Sequence, residues 1–255
     1  MKDYLIVADG NFLAREILEE AAQNKTIIAL DAAADKLARI GILPDILLGD
    51  FDCDTEAHAA YWGIRETFSR LDDNTSPYVG NHGVTIVPRK NQNLTDLIKA
   101  IRYSDEHQAA SITLICATGG RLDHHEAALR SLRSEYKKER PLILHTEQQT
   151  LCYAKNDTCV IPGVSGDKCA ILAFPQGMFT SEGLVYDVTD YKLEFGYSES
   201  YANALKNSRA IVTITGEALL MLPPQLQAQR NFMQMSEIEQ IKMLLRDATA
   251  ILPNT

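Results

Sequence analysis

At 255 residues, 45% hydrophobic and 23% charged, the sequence has the make-up of a globular chain of one large or two ordinary domains. Its formal net charge of −9 excludes a surface built to wrap nucleic acid, which draws on Lys/Arg clusters, but not a small phosphate ligand held by a metal ion and a few local cations. No apolar run reaches the roughly 18 residues of a membrane span, and MKDYLIVADG at the start has too short an apolar core for a signal peptide.

In chain order, Tyr4 to Ala8 reads as a strand closed by Asp9-Gly10, and Asn11 as the cap of a helix through Ala22. Thr26 to Leu30 is a second buried strand ending at Asp31. A helix from Ala33 to Ile40 follows, stopped by Gly41. The apolar run Ile46-Leu47-Leu48 is a third strand that halts at Gly49, with Asp50 and Asp52 at alternate positions after it. A helix from Thr55 to Phe68 and a polar loop from Leu71 to Gly83 lead to a strand at Val84 to Val87. Asn93 stands where a helix cap belongs, with the helix running to Ser104. Ile112 to Cys116 is a further strand, followed by Thr118-Gly119-Gly120, a helix from Asp123 to Lys137, and a strand at Leu142 to Leu144.

Strands alternating with helices at this spacing predict an α/β unit over residues 1–147, a parallel sheet with helices on both faces. From 148 to 224 the pattern changes to short β-type runs at 158–161, 170–174, 184–188, 192–195 and 210–215. Pro162-Gly163, Ser165-Gly166 and Gln176-Gly177 serve as turns, which predicts an antiparallel β-sandwich. Ser236 with Glu239 is a capping-box signature for a terminal helix within 225–255. The five cysteines form no CxxC and are odd in number, as reduced thiols in a cytoplasm would be.

The residues able to do chemistry follow strands: Asp31, the Asp50/Asp52 pair, Asn91 to Asp96, and Thr118 to His124. Taken singly each has an ordinary structural account, since Asp96 favours a helix start and pairs readily with Lys99, and two glycines often mean only a turn. Together they fall on one edge of a parallel sheet, the carboxyl edge where ligands bind. Several carboxylates converging there suit a hard cation such as Mg2+. Arg121, following two glycines that admit a phosphate, supplies a bidentate fork. The pattern fits a Mg2+–nucleoside triphosphate. No GxxxxGK[ST] or GxGxxG is present, so neither a P-loop nor a Rossmann dinucleotide site is supported.

Three blocks then resemble the thiamine pyrophosphokinase family: LDAAADKLARIGILPDILLGDFDC beside its ADGGA…PD.I.GDFDS, NQNLTDLIKAI beside DQD.TD..KAL, and ATGGRLDH beside G..GGR.DH. A weaker block, GLVYDV…LEFGYSESYAN, resembles the family's second domain. The resemblance implies transfer of a diphosphoryl group from ATP to the hydroxyl of thiamine, with Mg2+ as cofactor and a homodimer whose thiamine sites draw on both subunits. It places Asp31, Asp50, Asp52 and Asp96 around the metal and Gln92, Thr95 and Lys99 on the nucleotide or thiamine side of that cluster. Arg121 and Asp123 would line the ATP site, and Ser200, Asn203 and Tyr186 would meet thiamine. Asp50, Asp52, Asp96 and Arg121 are the implied catalytic set. The chain departs from the family at Asn91 and Asn93, which replace two acids, at Ala32-Ala33, which replaces two glycines, and at Cys53, which replaces a serine. Competing expectations are the same transfer to another alcohol such as a hydroxymethylpterin, a nucleotide-binding module without turnover, for which Asn91 and Asn93 argue, and a metal-dependent phosphohydrolase.

Overall fold

A computed structural model describes residues 1–51, 55–65 and 76–224. The chain divides after Glu147 into two compact units. The expectations for Asp52, for the end of the third helix beyond 65 and for the terminal helix lie outside the described residues.

The first unit is built on β1 (Lys2–Val7), β2 (Thr26–Leu30), β3 (Ile46–Gly49), β5 (Thr85–Pro88), β6 (Ala109–Ile115) and β7 (Leu142–His145), all parallel, in the order β7-β6-β1-β2-β3-β5. A two-residue strand, β4 (Tyr78–Val79), pairs antiparallel with β5 inside the stretch expected to be loop. Between the strands run α1 (Arg15–Ala22), α2 (Ala33–Arg39), α3 (Glu56–Trp62), α4 (Asp96–Glu106) and α5 (Leu122–Ser134).

Alternation sends successive strand side chains to opposite faces, and here both faces are buried. Leu5, Val7, Ile27, Ala29, Leu47 and Ile86 share one core with Leu18 of α1, Leu37 of α2 and Trp62 of α3. Tyr4, Ile6, Ile28, Leu48, Ile112 and Leu114, of opposite parity, are buried as well. α4 packs against β1, β2, β3 and β6, and α5 against β7. Burying apolar surface on two faces contributes roughly 25 cal/mol per Å2 and makes these strands near-continuous apolar runs.

Two helix starts differ from expectation. α1 begins at Arg15 rather than after Asn11, because residues 10 and 11 are tied to the loop after β6 by backbone hydrogen bonds. α4 is capped by Thr95, whose Oγ1 accepts the Ile98 amide. Asn93 instead donates its amide to Asn91 Oδ1 in a side-chain turn of its own, 2.9 Å long.

The second unit is antiparallel: β8 (Thr150–Pro162), β9 (Lys168–Glu182), β10 (Tyr191–Glu194), β11 (Ser200–Ala204) and β12 (Arg209–Leu222). Three of these strands are far longer than the runs read from sequence. They bend together where Asn156 (φ 46°) accepts the Gly216 amide and where Gly177 meets β12. A Cβ on Gly177 would sit 2.8 Å from the Glu217 carbonyl oxygen, so the glycine marks a close approach and not the expected turn. The two halves of the bent sheet close over one core, with Ala154, Ile171, Ala173 and Leu220 from one half and Ile161, Phe179, Val212 and Ile214 from the other. Residues 184–188 are not a strand. Asp187 gathers them into a turn by accepting from the Gly183 and Leu184 amides and the Ser181 hydroxyl.

Candidate active site

β2, β3 and β5 stop level with one another, Leu30 paired with Leu48 and Gly49 with Pro88. Asp31 follows β2 directly, Asp50 follows β3 directly, and Asp96 opens α4 after β5. One carboxylate oxygen from each lies within 4.8 Å of the others.

Local backbone allows this convergence. Asp31 (φ 41°) and Phe51 (φ 56°) are both left-handed, a conformation that costs non-glycine residues about 1–3 kcal/mol. The Phe51 ring, 1% exposed, is part of the core, and its burial offsets that cost. A Cβ at Gly49 would overlap Asp31 Oδ1, so only glycine lets that carboxylate lie across the end of β3.

Side chains from the loop before α4 and from α4 itself hold Asp50 and Asp96 in place. Gln92 Nε2 donates to Asp50 Oδ2 at 2.8 Å. Lys99 Nζ donates to Asp96 Oδ1 and to the Arg89 carbonyl oxygen, both at 2.8 Å, and stands 3.7 Å from Asp50 Oδ2. Burial pushes the Asp96 carboxyl above its ordinary value, with the Asp50 charge acting in the same direction and Lys99 opposing. Three half-buried carboxylates at this separation suit a hard divalent cation taking oxygen ligands.

Two strands away, β6 runs out into the loop Cys116–Arg121. At the spacing of neighbouring strands this is about 10 Å from the exit of β2, on the same sheet edge. Gly119 (φ 79°) and Gly120 (φ 64°) turn the loop, and the Asn11 side chain fills the space where a Cβ of Gly119 would be. The loop is braced from β1: Gly10 donates its amide to Cys116 O and Asn11 to Thr118 O, each at 2.8 Å. Gly119 donates its amide to His125 Nδ1 at 3.3 Å. Arg121 precedes α5 and forks onto Asp123, Nη2 to Oδ2 at 2.6 Å and Nε to Oδ1 at 3.1 Å. That hydrogen-bonded pairing lowers the Asp123 carboxyl to about 2. Both side chains are exposed, beside a helix N-terminus whose free amides favour an anion. The sequence reading took Gly10 and Asn11 for a turn and a cap. The overlooked signal was position, since β1 is where the strand order reverses and a binding crevice forms.

In the second unit, Tyr186 is exposed and Ser200 half-buried at the start of β11. Asn203, 1% exposed, accepts the Tyr186 amide on Oδ1 and donates from Nδ2 to the Tyr186 carbonyl and to Ser200 Oγ. It lies beneath the turn that carries Tyr186, and its own amide group is taken up by that turn.

Compared with known proteins, residues 17–144, half of the chain, match the family model for the thiamin pyrophosphokinase catalytic domain. The chain belongs to the thiamine pyrophosphokinase family. The match takes in Asp31, Asp50, Asp96 and Arg121. Among members of the family, thiamine pyrophosphokinase 3 of Oryza sativa subsp. japonica is 23% identical over 190 residues, 70% of this chain. The chain spans 64% of the length of that relative. Thiamine pyrophosphokinase from Bacillus subtilis superposes with a TM-score of 0.70 at 21% identity, covering 88% of this chain and 99% of that one. The yeast thiamin pyrophosphokinase structure gives 0.69 at 14% identity, covering 91% and 89%. At these identities the structures establish the fold, a parallel sheet with helices followed by antiparallel strands.

Proposed function

We propose that this chain transfers the diphosphoryl group of ATP to the hydroxyl of thiamine, giving thiamine diphosphate and AMP. The observation that carries the reading is the convergence of Asp31, Asp50 and Asp96 on the same sheet edge as the Gly119-Gly120-Arg121 loop, in a chain of this family. Asp31, Asp50 and Asp96 would hold Mg2+, and the family resemblance assigns Asp52, which lies outside the described residues, to the same metal. The metal, when bound, neutralises charge on the reacting phosphates. Arg121 turns its fork from Asp123 to phosphate oxygens, and the backbone at Gly119-Gly120 accepts their close approach. Gln92 keeps Asp50 oriented, and Thr95 fixes the start of α4 and so the place of Asp96. An Asp of the cluster accepts the proton of the attacking hydroxyl.

Thiamine would meet Tyr186 and Ser200, with Asn203 holding the Tyr186 turn. Pairing of two copies is supported by the exposed aromatic surface of the second unit: Tyr186, Phe195, Tyr197 and Tyr201 are each more than 60% exposed. A cytoplasmic site of action agrees with Cys116, Cys152, Cys159 and Cys169 all being free thiols. Among the described residues no helix is long and apolar enough to cross a membrane.

The test is AMP release from ATP and Mg2+ with and without thiamine. Thiamine-dependent AMP with an equal amount of thiamine diphosphate supports the reading. Free phosphate or ADP without a diphosphorylated acceptor would assign a hydrolase, and AMP formed only with another alcohol would reassign the acceptor.

A further inference from the structure

A buried lysine inside an acid cluster is uncommon, and Lys99 needs an account of its own. Its side chain is 3% exposed, and its ammonium touches Asp96, stands 3.7 Å from Asp50 and donates to the Arg89 carbonyl oxygen at the exit of β5. An ammonium has three donor protons, two of which go to Asp96 Oδ1 and the Arg89 carbonyl oxygen, while Asp50 Oδ2 at 3.7 Å is an ion-pair neighbour and not a hydrogen-bond acceptor. With two donors engaged inside the protein and 3% of its side chain exposed, Lys99 offers a ligand little hydrogen-bonding surface. What it does offer is a fixed positive charge on the protein side of three carboxylates that lie within 4.8 Å of one another.

We infer that Lys99 is a positioning residue that acts as a built-in monovalent counter-ion, keeping the metal site assembled between turnovers and holding down its affinity for free divalent cation. The inference rests on the metal reading of Asp31, Asp50 and Asp96 proposed above. Two opposite effects follow from the same contacts. The ammonium offsets repulsion between Asp50 and Asp96, so both acids stay at the strand ends without a metal. It also repels an incoming divalent ion at short range, where the interior screens charge poorly. A site of three bare carboxylates would bind the ion tightly without substrate. With Lys99 in place the ion is bound well only when phosphate oxygens add their own negative charge. Arg89 and Lys99 are joined through the main chain, so the same contact ties β5 to α4 and sets the height of Asp96 at the sheet edge.

The test is calorimetric titration with Mn2+ alone, without nucleotide, of the full chain and of Lys99→Met and Lys99→Gln. Both replacements remove the charge, and Gln retains a donor. At least one is expected to bind Mn2+ about tenfold or more tightly than wild type, with the gain smaller when ATP is present. A merely structural lysine predicts the opposite sign, because a disordered site binds less. Wild-type binding with unchanged or weaker binding in both variants, each folded by circular dichroism, would overturn the inference and leave the metal reading intact. No Mn2+ binding by wild type in the presence or absence of ATP would remove the metal reading and the inference with it.

Discussion

The acid edge and the glycine-arginine loop lie on one side of one sheet, yet they are built differently. Asp31, Asp50 and Asp96 are half-buried, Asp50 and Asp96 held by Gln92 and Lys99, with left-handed backbone at Asp31 and Phe51. Arg121 is exposed and pairs with its neighbour Asp123. An exposed pair of this kind is screened by solvent and easily exchanged. In the first region the working side chains are held before any ligand arrives, whereas in the second the loop backbone is braced but the Arg121 fork stands exposed to solvent. Damage should therefore register as lost turnover in the first and as lost affinity in the second.

Asp50→Asn would break that comparison most severely. It keeps the shape of the side chain and the fold but removes a ligand charge, and turnover is expected to fall about a hundredfold or more, measured as thiamine-dependent AMP. Gly49→Ala comes next. Its methyl group must displace the Asp31 carboxylate, so turnover should drop about tenfold to a hundredfold at a stability cost of about 1–3 kcal/mol, read from kinetics and denaturant melts. Wild-type kinetics in Gly49→Ala would mean that Asp31 does not need to cross β3.

Acid sharpens the same contrast. The Asp96 carboxyl titrates above its ordinary value, chiefly through burial, so its protonation stabilises the ligand-free fold at low pH and that contribution is lost as pH rises through the raised value. Metal binding opposes it. Mn2+ affinity should begin to fall at a pH above the ordinary carboxylate range of about 4, while the Asp123 carboxyl, held at about 2, stays charged. Titrations from about pH 7 to about pH 4 check this.

In the other region, Arg121→Ala should raise the ATP requirement about tenfold with little change in turnover at saturation. Asp123→Asn, which only releases the arginine, should stay within about twofold in kcat/KM. A large fall in turnover from Asp123→Asn would show that the loop, too, is organised in advance.

Much of the acid edge was legible in the chain because strand and site share one signature there. An apolar run that must stop at the sheet edge is followed at once by one of the converging acids, as at Leu30-Asp31 and Gly49-Asp50. The start of α4 was misplaced because Asn93 is also a good cap, and only the Asn91 turn shows that it is otherwise engaged. The β12 strand was read short because the bend at Gly216 breaks its alternation, and β11 was missed because SYANA lacks the apolar alternation that marks a strand. The depth of Lys99 was not legible, because sequence spacing gives its neighbours but not its burial. The Gly10–Cys116 contact joins residues far apart in the chain, which no local pattern can show.

That long separation has a consequence for how the protein is made. β1 lies inside the parallel sheet, with β2 close by in the chain on one side and β6 on the other, where Ser111 donates to Asp3 across 108 residues. At about 5–20 residues per second, synthesis leaves β1 waiting roughly 5–20 s after β2 before its second partner emerges. For that interval the growing chain carries a bare, flat, apolar strand edge open to any other strand. The nascent polypeptide, rather than the finished fold, is the form of this molecule in which that edge is exposed.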